Sequence, residues 1–250
     1  MPEKQNILAA LAAALSTGGD YAEVFFEDTT RNSLEYKDGR VETALSGRDY
    51  GAGVRVLKGV NYTYAYTSDV SEPGLIAAAK AAAAAMPGVW GKTPSALVLA
   101  PQRDMQPMVD APSAAYQEKR AAICKQAHDV ARAFSPEIVQ AAGSVGDIVQ
   151  NVIIANSEGM YVEDRRARSR FMVQAVASAN GEMQTGYWGP GAGAGFEFYD
   201  TIDIEALAKS AANTAVTMLH APFAPAGVMP AAIGNGFGGV IFHEACGHSL

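Results

Sequence analysis

The chain has 250 residues, enough for one large core or two small ones, and 49% of them are hydrophobic, which marks a globular rather than a disordered protein. Lys plus Arg number 19 against 26 Asp plus Glu, a net charge of −7 with no basic cluster, so direct nucleic-acid binding through phosphates is not expected. No run of 18 apolar residues exists, Met1-Pro2-Glu3-Lys4-Gln5 lacks the plan of a signal peptide, and two cysteines (Cys124 and Cys246) make no disulfide framework; the expectation is a cytoplasmic protein with no membrane span.

Ile7, Leu8, Leu11 and Leu15 fall at helical spacing, and Gly18-Gly19 closes that first helix. Residues 21–28 and 33–37 read as strands. Asp38-Gly39 then turns into a strand over 41–45, because glycine accepts the positive φ of a tight hairpin turn. Residues 50–57 run up, Lys58-Gly59 turns, and 60–67 return. Tyr62, Tyr64 and Tyr66 alternate on one face of that return strand, where packing against a helix is favoured over peptide binding. Arg55 is assigned a structural role.

Ser71 is placed as the N-cap of a helix through Met86 that Pro87-Gly88 ends, and residues 89–112 as an exposed connection. A helix over 113–134 carries Ile123, Ala127, Val130 and Phe134 along one stripe. Cys124 and His128, at i, i+4 beside it, are assigned to packing rather than to a metal. Strands follow over 137–140, 147–155, 160–164 and 168–177, with a turn at 156–159. The group Glu163-Asp164-Arg165-Arg166 fits a solvated face with local ion pairs. Residues 181–195 hold six glycines and read as a long loop, either a lid or disordered, without the spacing of a phosphate loop. A helix spans 203–220, its stripe Ile204, Leu207, Ala211, Ala215 and Leu219. Three prolines in 221–230 mark a domain boundary, and 229–234 reads as a strand leading to a final helix. The fold class is α+β: an antiparallel, hairpin-rich sheet packed with helices in an N-terminal domain (1–220), then the start of a second domain (221–250).

That last stretch carries His243, Glu244 and His248. Catalytic zinc takes three protein ligands and keeps a fourth position open, and neutral imidazoles suit it. In the better-known H-E-x-x-H pattern the histidines share a helix face at i, i+4. Here they lie at i, i+5, which on a regular helix sets the rings about 140° apart. Gly247 suggests the remedy, a helix that widens by one residue or ends there and swings His248 back toward His243. Zinc lowers the pKa of bound water to about 7, and Glu244 beside it would serve as the proton shuttle. The plain alternative, three ordinary helix residues beside a core, is disfavoured by the apolar run Val240-Ile241-Phe242, which gives no reason for two histidines and a glutamate within six residues.

Gly238-Gly239, His243-Glu244-Ala245 and Gly247-His248 together resemble the signature of the TldD/PmbA family, once described as modulators of DNA gyrase. The His-Glu-x-x-x-His pattern places the resemblance on the TldD side. The Asp38-Gly39 turn, the Gly53-Val54-Arg55 strand and the Asn156–Arg166 stretch resemble further family features. The resemblance implies a zinc-dependent peptidase acting on unfolded or extended peptides as a TldD–TldE heterodimer, with a homodimer also open. His243 and His248 would be metal ligands and Glu244 the catalytic base. A cysteine far along the C-terminal half would be the third ligand, and this sequence does not contain it. The chain as given is therefore expected to show little peptidase activity. The alternative is a non-catalytic peptide-binding or regulatory subunit of the PmbA/TldE kind, which has no need of the His-Glu-x-x-x-His pattern.

Overall fold

Eight strands form a single sheet in the computed structural model of the chain, which describes residues 1–86, 93–100 and 108–250. The chain divides into two units, Met1–Leu219 and His220–Leu250. The first holds β1 (Tyr21–Lys37), β2 (Arg40–Lys58), β3 (Asn61–Thr67), β4 (Val98–Leu99), β5 (Ile138–Asn156), β6 (Met160–Ala179), β7 (Glu182–Trp188) and β8 (Gly191–Ala192). Their order is β3-β2-β1-β5-β6-β4, with β7 and β8 also pairing with β6. Every pairing is antiparallel except the short β4–β6 contact. This is the antiparallel α+β architecture the hairpin signals predict.

Helices α1 (Lys4–Ala14), α2 (Glu72–Ala84), α3 (Gln117–Ala133) and α4 (Ile204–His220) accompany the sheet. Two cores result. One gathers α1 and α2 with Val24, Phe26, Val54, Val56 and Ile153. The other gathers α3 and α4 with Leu34, Val145, Phe171, Val173 and Ala175. Ser71 caps α2 by accepting the Gly74 N–H at 3.4 Å, as placed from the sequence.

Four strands run far longer than the alternation predicts, and one physical cause explains it. Apolar alternation fades near Asp28, Asp147 and Arg168, so strand breaks are expected there. Instead a polar belt crosses the core-facing side between the two cores. Asn32 donates to Asp147 Oδ1 at 2.8 Å, Ser46 Oγ donates to Asn32 Oδ1 at 2.9 Å, and the Arg120 guanidinium of α3 closes on both Asp147 oxygens at 2.8 and 3.0 Å. Polar residues satisfied in this way occupy a buried position without ending a strand.

The same belt shifts α3. Its buried face is Arg120, Cys124, Ala127, His128 and Ala131, while the predicted stripe member Phe134 is 40% exposed. Two polar residues hold core-facing positions, so the buried face is rotated from the apolar stripe, of which Ala127 is buried and Ile123 and Val130 pack half-buried against the second core. Cys124 and His128 do serve packing. Cys124 lies against the Leu34 carbonyl with its thiol pushed up to about 12, chiefly by burial. His128 Nε2 accepts the Gly39 N–H at 3.2 Å, while its Nδ1 faces Asp129 at 2.8 Å, an acidic neighbour within hydrogen-bond reach. Only Cys246 is exposed. Iodoacetamide at pH 8 is therefore expected to label one cysteine per native chain and two after denaturation, read by intact-mass spectrometry; native labelling of Cys124 would contradict this packing.

Other expectations change. Tyr62, Tyr64 and Tyr66 are 70%, 57% and 81% exposed, so they pack against no helix; Tyr64 instead lies over Gly53, where no side chain would fit. Arg55 pairs with Glu23 at 2.9 Å, a structural role, and Arg166 pairs with Asp164 at 2.6 Å. Residues 181–195 are not a long loop. Asn180 and Gly181, with φ of 53° and 83°, form a tight turn into β7, a hairpin signal that the glycine-rich composition obscured. Gly186 on β7 is needed because the Ala211 carbonyl of α4 sits where its Cβ would be. Residues 229–234 form no strand. The Pro87-Gly88 stop and parts of the predicted connection over 89–112 (89–92 and 101–107) lie outside the described residues; β4 forms within the described part. No described helix is long and apolar enough to cross a membrane.

Candidate metal centre

The second unit is built around a short helix with an unusual end. Gly236–Gly238 forms a 3₁₀ turn that Gly236 begins at φ 76°, a left-handed conformation open to glycine. Gly239–Phe242 (α5) is regular, and His243–Gly247 continues as a π turn. There the His248 N–H donates to the His243 carbonyl at 3.2 Å, a bond spanning five residues. One residue per turn is thus added between the two histidines.

This widening removes the offset that an i, i+5 spacing has on a regular helix. The two imidazole centroids lie 4.5 Å apart with planes at 84°. One ligand atom each of His243, Glu244 and His248 lies within 4.8 Å of the others. Gly247 leaves the rings clear: a methyl there would already touch His243 Nδ1 at 3.4 Å. All three side chains are exposed. No other group of three or more His, Cys, Asp or Glu side chains is so arranged among the described residues, and Cys246 and His220 stay outside the trio.

Two neutral imidazoles and a carboxylate are a zinc donor set. Ligand atoms about 2.1 Å from a tetrahedral ion stand roughly 3.4 Å apart, so modest side-chain rotation closes the observed spacing. The residues fit the ion.

A further feature of the first unit escaped the sequence. Its sheet face away from the helices has a cavity of about 940 Å³ bordered by Arg31, Arg168 and Arg170. The signal was present as Arg-x-Arg at positions 168 and 170, which puts both side chains on one face of a strand.

An antiparallel sheet backed by helices and a His-Glu-x-x-x-His turn with zinc-type donors define a candidate metal-binding α+β protein. Two family models match the chain: PmbA/TldA metallopeptidase domain 1 over residues 22–85 and the central domain of the same metallopeptidases over residues 110–219. The chain belongs to the PmbA/TldD family. It is 28% identical over 238 residues to a metalloprotease TldD homolog of Haemophilus influenzae, covering 92% of this chain and 49% of that protein. It is 30% identical over 233 residues to a metalloprotease of Methanothermobacter thermautotrophicus, covering 92% and 50%. The chain thus spans about half the length of these relatives. Its fold resembles that of a proposed modulator of a DNA gyrase from Thermotoga maritima (TM-score 0.68, 20% identity, 90% of this chain and 50% of that one). It also resembles that of TldE from Thermococcus kodakarensis (TM-score 0.57, 14% identity, 84% and 47%).

Proposed function

We propose that the chain carries the catalytic half-site of a zinc-dependent, TldD-like peptidase that cleaves unfolded or extended peptides in the cytoplasm. The convergence of His243, Glu244 and His248 across the π turn is the observation that supports it. His243 and His248 hold the metal, which when bound polarises the scissile carbonyl and acidifies water. Glu244 takes a proton on its carboxylate from the attacking water as the water oxygen adds to the carbonyl carbon. It then returns that proton to the amine nitrogen as the C–N bond breaks. The third ligand, a cysteine by family resemblance, comes from outside this sequence, and the chain alone is then inactive. A TldE/PmbA-like subunit or a second copy completes the assembly.

The alternative, a non-catalytic peptide-binding or regulatory subunit, would have no use for the trio, and zinc titration separates the two. By calorimetry the chain should bind Zn²⁺ weakly, and His243→Ala or His248→Ala should weaken it about tenfold or more. Unchanged binding in both variants would remove the metal assignment.

A further inference from the structure

We infer that the helix-free face of the sheet holds a subsite for the carboxylate of an extended peptide, gripped by Arg168 and Arg170. This deepens the peptide-substrate reading above and rests on it for the identity of the ligand.

The strand register builds the site. In one row across the sheet, Gly47, Arg31, Ile148 and Arg168 lie side by side; in the next, Leu45, Ser33, Gly146 and Arg170. Side chains two apart share a face, so both rows point away from the helices. Gly47 and Gly146 leave gaps in the floor: a Cβ at Gly47 would meet nothing within 4 Å, and one at Gly146 would only just reach the Asn32 carbonyl at 4.0 Å. The cavity over these rows measures about 940 Å³. A second cavity of about 410 Å³ adjoins it, sharing Ser33, Gly146 and Arg170 and reaching Glu35 and Met172 in the row beyond. Three rows, four residues along a strand, span roughly 14 Å, the length of about four residues of extended peptide.

Charge decides what enters. Arg31 is held by Asp49 at 3.1 Å. Arg168 and Arg170 pair with no carboxylate among the described residues. Asp147 borders the same cavity, but its oxygens are taken up by Arg120 and Asn32 of the belt on the helix side. Two unpaired guanidinium forks in a protein of net charge −7 are a local exception. Guanidinium matches a planar carboxylate bidentately. Two such groups are too few for a phosphodiester chain, which needs a longer basic track. Leu45, Ile148 and Met172 add apolar walls that suit side chains of a peptide.

The test is fluorescence anisotropy of the 250-residue chain without zinc, using an N-terminally labelled apolar pentapeptide in three forms: free C-terminal acid, C-terminal amide, and amide with an internal Glu. The free acid or the Glu form should bind at least tenfold more tightly than the plain amide, the stronger of the two naming the carboxylate's source. Arg168→Gln/Arg170→Gln, both surface changes, should erase that preference while the thermal melt stays put. Equal binding of acid and amide by the unaltered chain, no binding of any form, or a preference that survives in the double variant would each overturn the subsite. The outcomes stay separable from the peptidase reading. Peptide acids that fail to bind while Glu244→Gln abolishes turnover sink the subsite alone. Turnover that survives Glu244→Gln sinks the peptidase mechanism alone.

Discussion

Replacing Asp147 with alanine is expected to destabilise the first unit by about 3–5 kcal/mol, the cost of leaving a buried charge without its partner. Arg120 is 0% exposed and closes on both Asp147 oxygens, at 2.8 and 3.0 Å. Among the described residues it also donates through Nη1 to the Ser113 carbonyl at 2.8 Å and lies over the Phe196 ring, with the guanidinium carbon 5.4 Å from its centroid. Neither neutralises a cation. The loss also spreads, because Asn32 donates to the same carboxylate and Ser46 donates to Asn32. Asp147→Asn keeps an acceptor and should cost less than Asp147→Ala. An apolar pair, Arg120→Met with Asp147→Leu, should recover part of the loss: no charge is left unpaired, but the buried Asn32 amide still loses its acceptor. Urea unfolding followed by circular dichroism measures all three variants. A loss under about 1 kcal/mol for Asp147→Ala would show that water reaches Arg120 and that the belt is wet.

That belt also marks where sequence reading stops. Turns were legible because their chemistry is local: Asp38 and Gly39 take φ of 49° and 82°, and Gly159 takes 98° at the Asn156 turn, as a tight reversal requires. Strand lengths were not, because Asn32, Asp147 and Ser169 are buried polar residues whose partners come from other strands, from α3 or from distant loops. Ser169, for instance, donates to the Gly195 carbonyl 26 residues away. The buried face of α3 is rotated from its apolar stripe for the same reason, since Arg120 and His128 look like solvent residues until Asp147 and Gly39 are seen beside them. The π turn was legible for the opposite reason: two histidines five apart cannot converge on a regular helix, so the spacing itself demanded an irregular one. The arginine pair at 168 and 170 went unread because the register that aligns it with Gly146 and Ile148 is not a local property.

In the assembly that hydrolyses an unstructured peptide, Glu244→Gln is expected to lower kcat by about 10²–10⁴-fold, the usual contribution of a positioned acid–base group. Glutamine keeps the shape of the side chain and its oxygen, but that oxygen cannot hold the proton between its removal from water and its delivery to the amine. KM should change little, because the carboxylate acts on the proton in flight rather than on the resting peptide. Zinc content separates the two roles open to this residue. Glu244 shares the 4.8 Å cluster with both histidines, so it stands close enough to ligate as well as to act as base. If it is the base, the Gln variant retains stoichiometric zinc by elemental analysis while turnover collapses; His243→Ala, by contrast, loses metal and turnover together. Zinc lost on Glu244→Gln would make the carboxylate a ligand. A carboxylate that shares its charge with the ion is a much weaker base, so the proton would then be carried by another group. Turnover retained with zinc retained would remove Glu244 from the chemistry and leave the π turn as a metal-binding feature alone.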